Sequence, residues 1–348
     1  MMANILSKYN VAGLEKAINE HNTIILTCHV NADGDALGST LGLQQVLVNM
    51  GKKCSVIVPD LPPTNLSWIQ GFKTAHAYER EIEACDSLIE EADCIFIMDY
   101  NAFSRAKLLG EKLASIDKAS KCWVMVDHHL DPVEDCDVKI SDPTASATCE
   151  VIFNCLFNSA LKEYIDVKAA SCFYTGIITD TGGLSYNSSN PDLYLLVAEL
   201  LRFGIDKESI HDKIFNNKSV RRLKLLAASL KRMIVIGDTN VAYIGLPKNL
   251  LDKYHYMTGD TEGFVNVPLQ AKNVQCSILL MDRPDGVKAS LRSKGNFSVS
   301  DFAQKYYGGG GHFNASGATL NMPFEEAEAR IIADMQEYFN TVCPKTNS

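Results

Sequence analysis

Short apolar stretches alternate with amphipathic stretches over roughly the first half of the chain. The apolar stretches have the length of buried strands, and polar or acidic residues follow each of them. They lie at residues 23–28, 54–58, 94–98 and 123–126. An amphipathic stretch that contains Leu37 and Leu41 predicts a helix that ends near Gly51. This alternation predicts a parallel sheet flanked by helices.

The pattern changes from about residue 190. Consecutive helices are predicted over residues 191–203, 209–215 and 220–231. Hairpins are predicted over residues 234–244 and 277–292, because turn residues such as Arg283-Pro-Asp-Gly286 separate their apolar halves. A glycine-rich loop at 308–312 then follows a short helix, and a final amphipathic helix covers residues 324–339.

These patterns predict an α/β protein with two domains. The N-terminal parallel-sheet domain covers residues 1–190, a helical connector covers 191–232, and a smaller mixed α+β domain covers 233–343. A chain of 348 residues is long enough for two hydrophobic cores. We expect the active site in the cleft between the two domains.

Composition and charge narrow the class of protein. Hydrophobic residues make up 46% and charged residues 22%, as in ordinary soluble proteins. The apolar runs are too short to span a membrane, no signal-peptide core is present, and the eleven cysteines lack metal-type spacing, so we expect a cytoplasmic protein with no membrane partner. A net charge of −9 argues against binding of long nucleic acid through a broad basic face.

Acidic and histidine side chains follow the predicted strands, at the edge where ligands of open parallel sheets bind. They are His29, Asp33, Asp35, Asp99, Asp127, His128 and His129, and Asp180 ends a predicted helix over residues 169–179. These residues offer imidazole nitrogens and carboxylate oxygens, which suit a pair of divalent metal ions. Because no cysteine thiolate is needed as a ligand, Mn²⁺ is favoured over Zn²⁺. Two such ions, about 3.5–4 Å apart, commonly activate water for attack on phosphorus.

Each part of this pattern has an ordinary explanation when taken alone. An Asp-Gly-Asp turn is common in loops, and Asp99 could simply cap a helix. Only one of His128 and His129 needs to be functional, because neighbouring side chains of a strand point to opposite faces. Without a metal site, a separate ordinary explanation would be needed at the end of each of several strands and of a helix. We therefore favour the metal site.

The same motifs resemble those of the DHH phosphoesterases. Residues 29–39 resemble the first motif of that family, Asp99 the second, residues 127–129 the third and residues 179–182 the fourth. Residues 308–317 resemble the glycine-rich loop of the associated DHHA1 domain. The overall plan is most similar to the nano-RNase A type, whose members act on very short oligonucleotides and on 3′-phosphoadenosine 5′-phosphate (pAp).

The resemblance implies a role for each site residue of the first domain. One metal ion is held by His29, Asp33 and Asp99, and the other by Asp35, Asp99, His128 and Asp180. Asp127 orients a histidine, as residues next to metal ligands commonly do, and His129 faces the substrate phosphate. Arg105 is a further candidate for neutralising phosphoryl charge, although an isolated surface arginine explains it nearly as well. Ala32 and Pro132 depart from the family pattern at positions that supply no metal ligand.

The glycine-rich loop is the candidate substrate-binding feature of the second domain. Gly309, Gly310 and Gly311 present backbone N–H groups to an anion without side-chain obstruction, and His312 adds a donor. A flexible turn with a chance histidine is the alternative. Arg292 and Ser293, at the end of a predicted strand, suit a phosphate or a base edge. We expect this domain to hold the far nucleotide and so to limit substrate length.

The expected activity is that of a Mn²⁺-dependent phosphoesterase. It would hydrolyse short oligoribonucleotides to mononucleotides and dephosphorylate pAp, so that its partners are short oligonucleotides or nucleotide bisphosphates. Hydrolysis of signalling dinucleotides such as pApA or cyclic di-AMP is the alternative, because it needs the same water and ions. A non-catalytic nucleotide sensor is disfavoured, since all six candidate ligands are present. A homodimer through the connector helices remains open.

Overall fold

The computed structural model describes residues 8–132 and 135–343, which fold as two compact units that divide between Asn217 and Lys218. Each unit has its own sheet and its own hydrophobic core. Helices Pro191–Arg202 and Lys207–His211 belong to the first unit, and Val220–Lys231 belongs to the second. The predicted boundaries at residues 190 and 232 stay predictions.

The first unit is built on a parallel sheet of six strands. Strands β1–β6 are Thr23–Thr27, Lys53–Val58, His76–Ala77, Cys94–Met98, Cys122–Asp127 and Val138–Ser141. Their order in the sheet is β3-β2-β1-β4-β5-β6, and every neighbouring pair is parallel. Chain connections therefore run in opposite directions from β1 and from β4, and a crevice opens between these two strands at their carboxyl ends.

Helices cover both faces of this sheet. Helices α1–α8 are Val11–Glu20, Gly34–Asn49, Ile82–Glu91, Lys107–Ala114, Thr148–Phe157, Val167–Asp180, Pro191–Arg202 and Lys207–His211. Shorter 3₁₀ turns lie at Thr64–Leu66, Phe72–Thr74, Phe103–Ala106, Lys118–Ser120 and Ala160–Tyr164, and a π turn at Asp212–Asn216. Phe96 of β4 packs into the core formed with α1, α2, α5 and α6, whereas Ile95 and Ile97 pack into the core formed with α3 and α4. Burial on both faces explains why the strands are apolar runs without polar alternation.

The second unit is a mixed sheet of six strands with helices on both faces. Strands β7–β12 are Ile234–Val235, Val241–Leu246, Cys276–Met281, Val287–Ser293, Gly310–His312 and Ala315–Leu320. Helices α9–α12 are Val220–Lys231, Lys248–Lys253, Val299–Tyr307 and Phe324–Val342, and a 3₁₀ turn lies at Phe264–Gln270. The order is β11-β12-β10-β9-β8-β7, antiparallel except for the pair β8 and β9.

The predicted fold class is confirmed. Strand β4 and helix α9 have the predicted limits, and the other predicted elements differ by a few residues at their ends. The glycine-rich segment differs in kind, because residues 310–312 form the edge strand β11 and not a loop. No helix within residues 8–132 and 135–343 is long and apolar enough to cross a membrane.

Candidate metal centre

The candidate metal ligands gather at the carboxyl ends of β1, β4 and β5. His29 lies two residues beyond the end of β1, Asp99 directly follows β4, and His128 directly follows β5. Asp180 reaches the same place from the last turn of helix α6. The site therefore occupies the crevice at which the strand order of the sheet reverses.

Two groups of ligand atoms form within this crevice. Ligand atoms of His29, Asp33 and Asp99 lie within 4.8 Å of one another, and so do those of Asp35, His128 and Asp180. The structure thus brings together all six residues predicted to bind metal. Asp99 and His128 also form a third group of this kind with His129.

His29 presents its Nε2 atom to two carboxylates. Its Nδ1 atom donates to the backbone oxygen of Val30 at 2.8 Å, which leaves Nε2 with a free lone pair. Nε2 lies 3.8 Å from Asp33 Oδ2 and 3.4 Å from Asp99 Oδ2. These separations exceed a hydrogen bond, and they suit atoms that share a cation about 2.0–2.2 Å from each.

His128 occupies the equivalent place in the second group. Its Nε2 atom lies 3.9 Å from Asp35 Oδ2, 3.6 Å from Asp99 Oδ1 and 3.4 Å from Asp180 Oδ2. Asp99 therefore turns one oxygen toward each histidine, Oδ2 toward His29 and Oδ1 toward His128. This is the arrangement expected of a carboxylate shared by two ions.

Helix termini position the two aspartates of the first motif. Asp33 caps helix α2, because its Oδ1 atom accepts from the N–H groups of Asp35 and Ala36 while Oδ2 faces His29. Asp35 is fully buried, and its two oxygens accept from the N–H groups of Thr148 at 2.6 Å and Cys149 at 2.9 Å. Asp35 thereby satisfies the exposed amides at the start of helix α5.

Asp99 has an unusual backbone conformation. Its φ angle of 64° lies in the left-handed region, which aspartate tolerates better than most residues. Thr148 donates its hydroxyl hydrogen to Asp99 Oδ1 at 2.9 Å. The backbone turn and this hydrogen bond fix the carboxylate between the two histidines, and backbone strain of this kind is typical of functional sites.

Asp127 and His129 form a hydrogen-bonded pair beside the ligands. Asp127 is fully buried, and its Oδ1 atom accepts from His129 Nδ1 at 2.7 Å. The other oxygen, Oδ2, is buried and has no hydrogen-bond partner within the described residues. The histidine that Asp127 orients is therefore His129, whose Nε2 atom remains available for a ligand.

The carboxylates of the cluster carry negative charge that nearby side chains do not balance. Burial, followed by the nearby carboxylates, raises the pKa of Asp99 well above its ordinary value, and burial also raises the pKa of Asp35. The pKa of Asp180, whose side chain is 26% exposed, rises to about 10 through desolvation and the charges of the other aspartates. Within the described chain, the cationic side chains within 4.0 Å of the ligand carboxylates are imidazoles. Buried carboxylates with so little positive charge around them are suited to divalent metal ions, which would balance their negative charge.

A glycine allows the helices that carry the ligands to approach closely. A Cβ atom at Gly176 in helix α6 would lie 2.2 Å from Cys149 Sγ and 2.7 Å from Asp35 Oδ1. Only glycine fits there without displacing the ligand Asp35.

Arg105 lies beside the first motif through its backbone. Its carbonyl oxygen accepts from the N–H group of Val30 at 2.9 Å, and its side chain is half-buried. The predicted contact of this guanidinium with substrate stays a prediction.

Sequence patterns did not reveal the residues that support the ligands. Thr148 and Cys149 hold Asp35, and the carbonyl oxygen of Ala145 lies 3.4 Å from His128 Nδ1. Glu150, in the first turn of helix α5, accepts from both the N–H and the hydroxyl of Ser146 and so holds the segment that enters this helix. This local pattern gives no sign of a nearby metal ligand.

Arg292 and Ser293, in the second unit, have different environments. Arg292 is half-buried, donates to the carbonyl oxygen of Leu291, and has a pKa lowered by burial. Ser293 is buried, donates to the carbonyl oxygen of Phe297 at 2.6 Å and accepts from Asn314. The Ser293 hydroxyl hydrogen is therefore used inside the protein.

The three glycines of the predicted substrate loop also differ from one another. A Cβ atom at Gly309 would lie 2.3 Å from the carbonyl oxygen of Gly317, and one at Gly311 would lie 2.5 Å from that of Ala315. A Cβ atom at Gly310 would project into open space. Gly309 and Gly311 permit tight packing on β12, whereas Gly310 leaves its strand edge uncovered. The side chain of His312 lies outside the described part of the structure.

Comparisons with known proteins match this architecture. Residues 23–177 match the DHH family N-terminal domain, and residues 238–341 match the DHHA1 domain. The curated relative "bifunctional oligoribonuclease and PAP phosphatase NrnA" of Thermus thermophilus is 26% identical over 336 residues, which cover 94% of this chain and 93% of the relative.

Solved structures support the same assignment. An exopolyphosphatase-related protein from Bacteroides fragilis is 39% identical, with a TM-score of 0.90 over 94% of this chain and 96% of that protein. RecJ of Thermus thermophilus, solved in complex with Mn²⁺, is 14% identical, with a TM-score of 0.54 over 94% of this chain and 54% of RecJ, and thus shares the fold. The chain belongs to the DHH phosphoesterase family, as a member that combines the DHH N-terminal domain with a DHHA1 domain.

Proposed function

We propose that this chain is a divalent-metal-dependent phosphoesterase that hydrolyses short oligoribonucleotides to mononucleotides and removes a phosphate from pAp. The observation that carries the proposal is the pair of ligand groups with Asp99 between them, since its Oδ2 atom lies 3.4 Å from His29 Nε2 and its Oδ1 atom lies 3.6 Å from His128 Nε2. The curated relative from Thermus thermophilus bears these two activities in its name, and it aligns with nearly the whole chain.

The proposed metal ligands follow the two groups of atoms. His29, Asp33 and Asp99 hold one ion, and Asp35, Asp99, His128 and Asp180 hold the other. Mn²⁺ is the ion that we propose, because the donors are oxygen and imidazole nitrogen without thiolate. When bound, two such ions activate water for attack on phosphorus and neutralise charge on the phosphoryl oxygens.

His129 is the residue that we assign to the substrate phosphate. Its Nδ1–H group is held by Asp127, so its Nε2 atom is fixed in direction and can donate to a phosphoryl oxygen when the ring is protonated. The pair thus directs a hydrogen-bond donor to the place where the negative charge of the transition state develops.

In the second unit, we propose that the uncovered strand edge at Gly310 and the guanidinium of Arg292 bind a phosphate or base of the substrate. Backbone N–H groups without a side chain in the way, together with a planar cation, suit such an anion. We also propose a cytoplasmic location, since the eleven cysteines, all within the described residues, form no disulfide.

A substrate panel tests this proposal directly. Purified protein with Mn²⁺ is incubated with pAp, pApA, cyclic di-AMP and RNA of about two to five nucleotides, and released phosphate and mononucleotide are measured. We expect release from pAp and from short RNA, with loss of activity in His128→Ala. The control is His76→Ala, which removes a half-buried histidine paired with Glu81 outside the cluster. Absence of product from every substrate would refute the proposal, and cleavage of pApA or cyclic di-AMP alone would reassign the substrate.

A further inference from the structure

A second cluster of potential metal ligands lies at the opposite end of the first sheet. His21 follows helix α1, Cys94 begins β4 and Cys122 begins β5. One imidazole nitrogen and the two sulfur atoms lie within 4.8 Å of one another. Cys94 and Cys122 are register partners on adjacent parallel strands, so the sheet itself sets the spacing of their side chains.

The imidazole of His21 is oriented in the way typical of a metal ligand. Its Nδ1 atom donates to the carbonyl oxygen of Ala17 at 2.7 Å, which fixes the tautomer and leaves the lone pair of Nε2 free. His21 and Cys122 are half-buried and Cys94 is fully buried, so the cluster is reachable from solvent on one side.

The backbone around the cluster is held in place by hydrogen bonds. Asp93 accepts from the N–H groups of Asn22 and Thr23, and its carbonyl oxygen accepts from Cys122 N–H. Lys121 Nζ donates to the carbonyl oxygens of Glu90 and Ala92. The segments that carry the three donors are therefore tied together before any ligand binds.

Cys122 is the more acidic thiol of the pair. A hydrogen bond from Cys94 and the charge of His21 lower the pKa of Cys122 to about 7, against the opposing effects of burial, Asp137 and Glu20. The same hydrogen bond and burial raise the pKa of Cys94 well above its ordinary value, so Cys122 loses its proton first. A thiolate is the form of cysteine that binds metals.

We propose that His21, Cys94 and Cys122 form a separate soft-metal site that binds Zn²⁺, with the fourth coordination position open to solvent. Two thiolates and one imidazole are donors that Zn²⁺ prefers, whereas the candidate metal centre at the other end of the sheet offers no thiolate. A bound ion links the end of helix α1 to the first residues of β4 and β5, and therefore stabilises the amino-terminal end of these strands.

This site is independent of the candidate metal centre. Cys94 and Asp99 are five residues apart along one extended strand, as are Cys122 and Asp127 on the next. Five residues of strand span about 17 Å, so no ligand can serve both places. The proposal therefore stands whether or not the proposed phosphoesterase function is correct.

Cobalt spectroscopy tests the site, because Co²⁺ bound to thiolate gives a charge-transfer absorption that oxygen and imidazole ligands do not give. The full chain, reduced with a phosphine that contains no thiol, is titrated with Co²⁺ and then with Zn²⁺. We expect a thiolate-to-cobalt band whose final amplitude corresponds to one thiolate-bound cobalt ion per chain and that Zn²⁺ abolishes. We also expect the band in Asp99→Ala, which removes the shared ligand of the other centre.

Matched variants decide whether these three residues bind the ion. Cys122→Ser and His21→Ala should each weaken or abolish the band, and the change at the half-buried His21 tests the site without altering the fully buried Cys94. Cys54→Ser is the control, because Cys54 is a half-buried free cysteine at the same end of the sheet, on β2. No thiolate band in the reduced wild type, or an undiminished band in Cys122→Ser, would overturn the proposal.

Discussion

Asp127 and His129 show how a single buried carboxylate can direct a neighbouring side chain. One oxygen of Asp127 holds His129 Nδ1 at 2.7 Å, and the other has no partner among the described residues. Burying a carboxylate that leaves one oxygen without a hydrogen bond costs free energy, and the bond from His129 Nδ1 offsets part of that cost.

This pair predicts strongly non-additive kinetics. His129→Gln should lower kcat by about 10²–10⁴-fold, the range typical of a lost proton donor, while both metal ions remain bound. Asp127→Asn should have a similar effect, and the double variant should be little worse than either single variant, because the two residues act as a unit. Steady-state kinetics and Mn²⁺ titration of the variants measure this. Additive losses of kcat, or loss of a metal ion in His129→Gln, would contradict the assigned role.

Gly309 and Gly310, at the start of strand β11, should respond differently to the same substitution. Gly309→Ala places a methyl group 2.3 Å from the carbonyl oxygen of Gly317 and should lower the free energy of unfolding by about 1–3 kcal/mol. Gly310→Ala meets no atom and should leave the stability unchanged, but it should raise KM for dinucleotides if substrate approaches that strand edge. Urea unfolding and dinucleotide kinetics of both variants test this. An unchanged KM in Gly310→Ala would remove the proposed role of this strand edge.

At the scale of elements, the metal centre depends on how closely helix α6 packs against helices α2 and α5. Gly176 makes that approach possible, and Asp35 is fixed by the first amides of α5. The positions of the candidate ligands therefore depend on helix packing as much as on the loops that follow the strands.

Gly176→Ala should affect both stability and catalysis. The added methyl group overlaps Cys149 Sγ and Asp35 Oδ1, so we expect a loss of about 1–3 kcal/mol and a lower kcat. Adding Cys149→Ala removes the overlap with sulfur but not the overlap with the carboxylate. The double variant should therefore regain stability in urea unfolding without regaining activity, and recovery of both would show that Asp35 does not move.

The elements differ in how far the sequence predicted them. Strands such as β4 were predictable because burial on both faces makes them uninterrupted apolar runs, and the clustering of the candidate ligands was predictable because most of them follow such runs. The contact of Thr148 with Asp35 was not predictable, since 113 residues separate the two and only the folded chain brings them together. Strand β11 was predicted as a loop because glycine favours turns, whereas here the absence of side chains permits close pairing with β12.

At the scale of the whole molecule, folding concentrates carboxylates at one end of the first sheet. The buried aspartates there raise one another's pKa values, so the metal-free centre opposes folding of the first unit. Metal binding reverses this effect, because an ion that binds only the folded state stabilises it.

Removal of metal should therefore lower the melting temperature of the first unit. At free Mn²⁺ about a hundredfold above its dissociation constant, each independent site adds about 2.7 kcal/mol, which corresponds to a shift of several degrees. Thermal melts in EDTA and in Mn²⁺ measure the shift, and Asp99→Ala, which lacks the shared ligand, should show a much smaller one. Equal melting temperatures for the wild type under both conditions would argue against metal binding at this centre.

The capping of helix α5 by Asp35 has a spectroscopic consequence. The amide protons of Thr148 and Cys149 point directly at the carboxylate of a proposed metal ligand. Their resonance frequencies depend on the charge of that carboxylate, so filling of the centre with a diamagnetic ion such as Mg²⁺ shifts both signals. The resonances of these two protons therefore show whether metal is bound at the centre, without any need for substrate turnover.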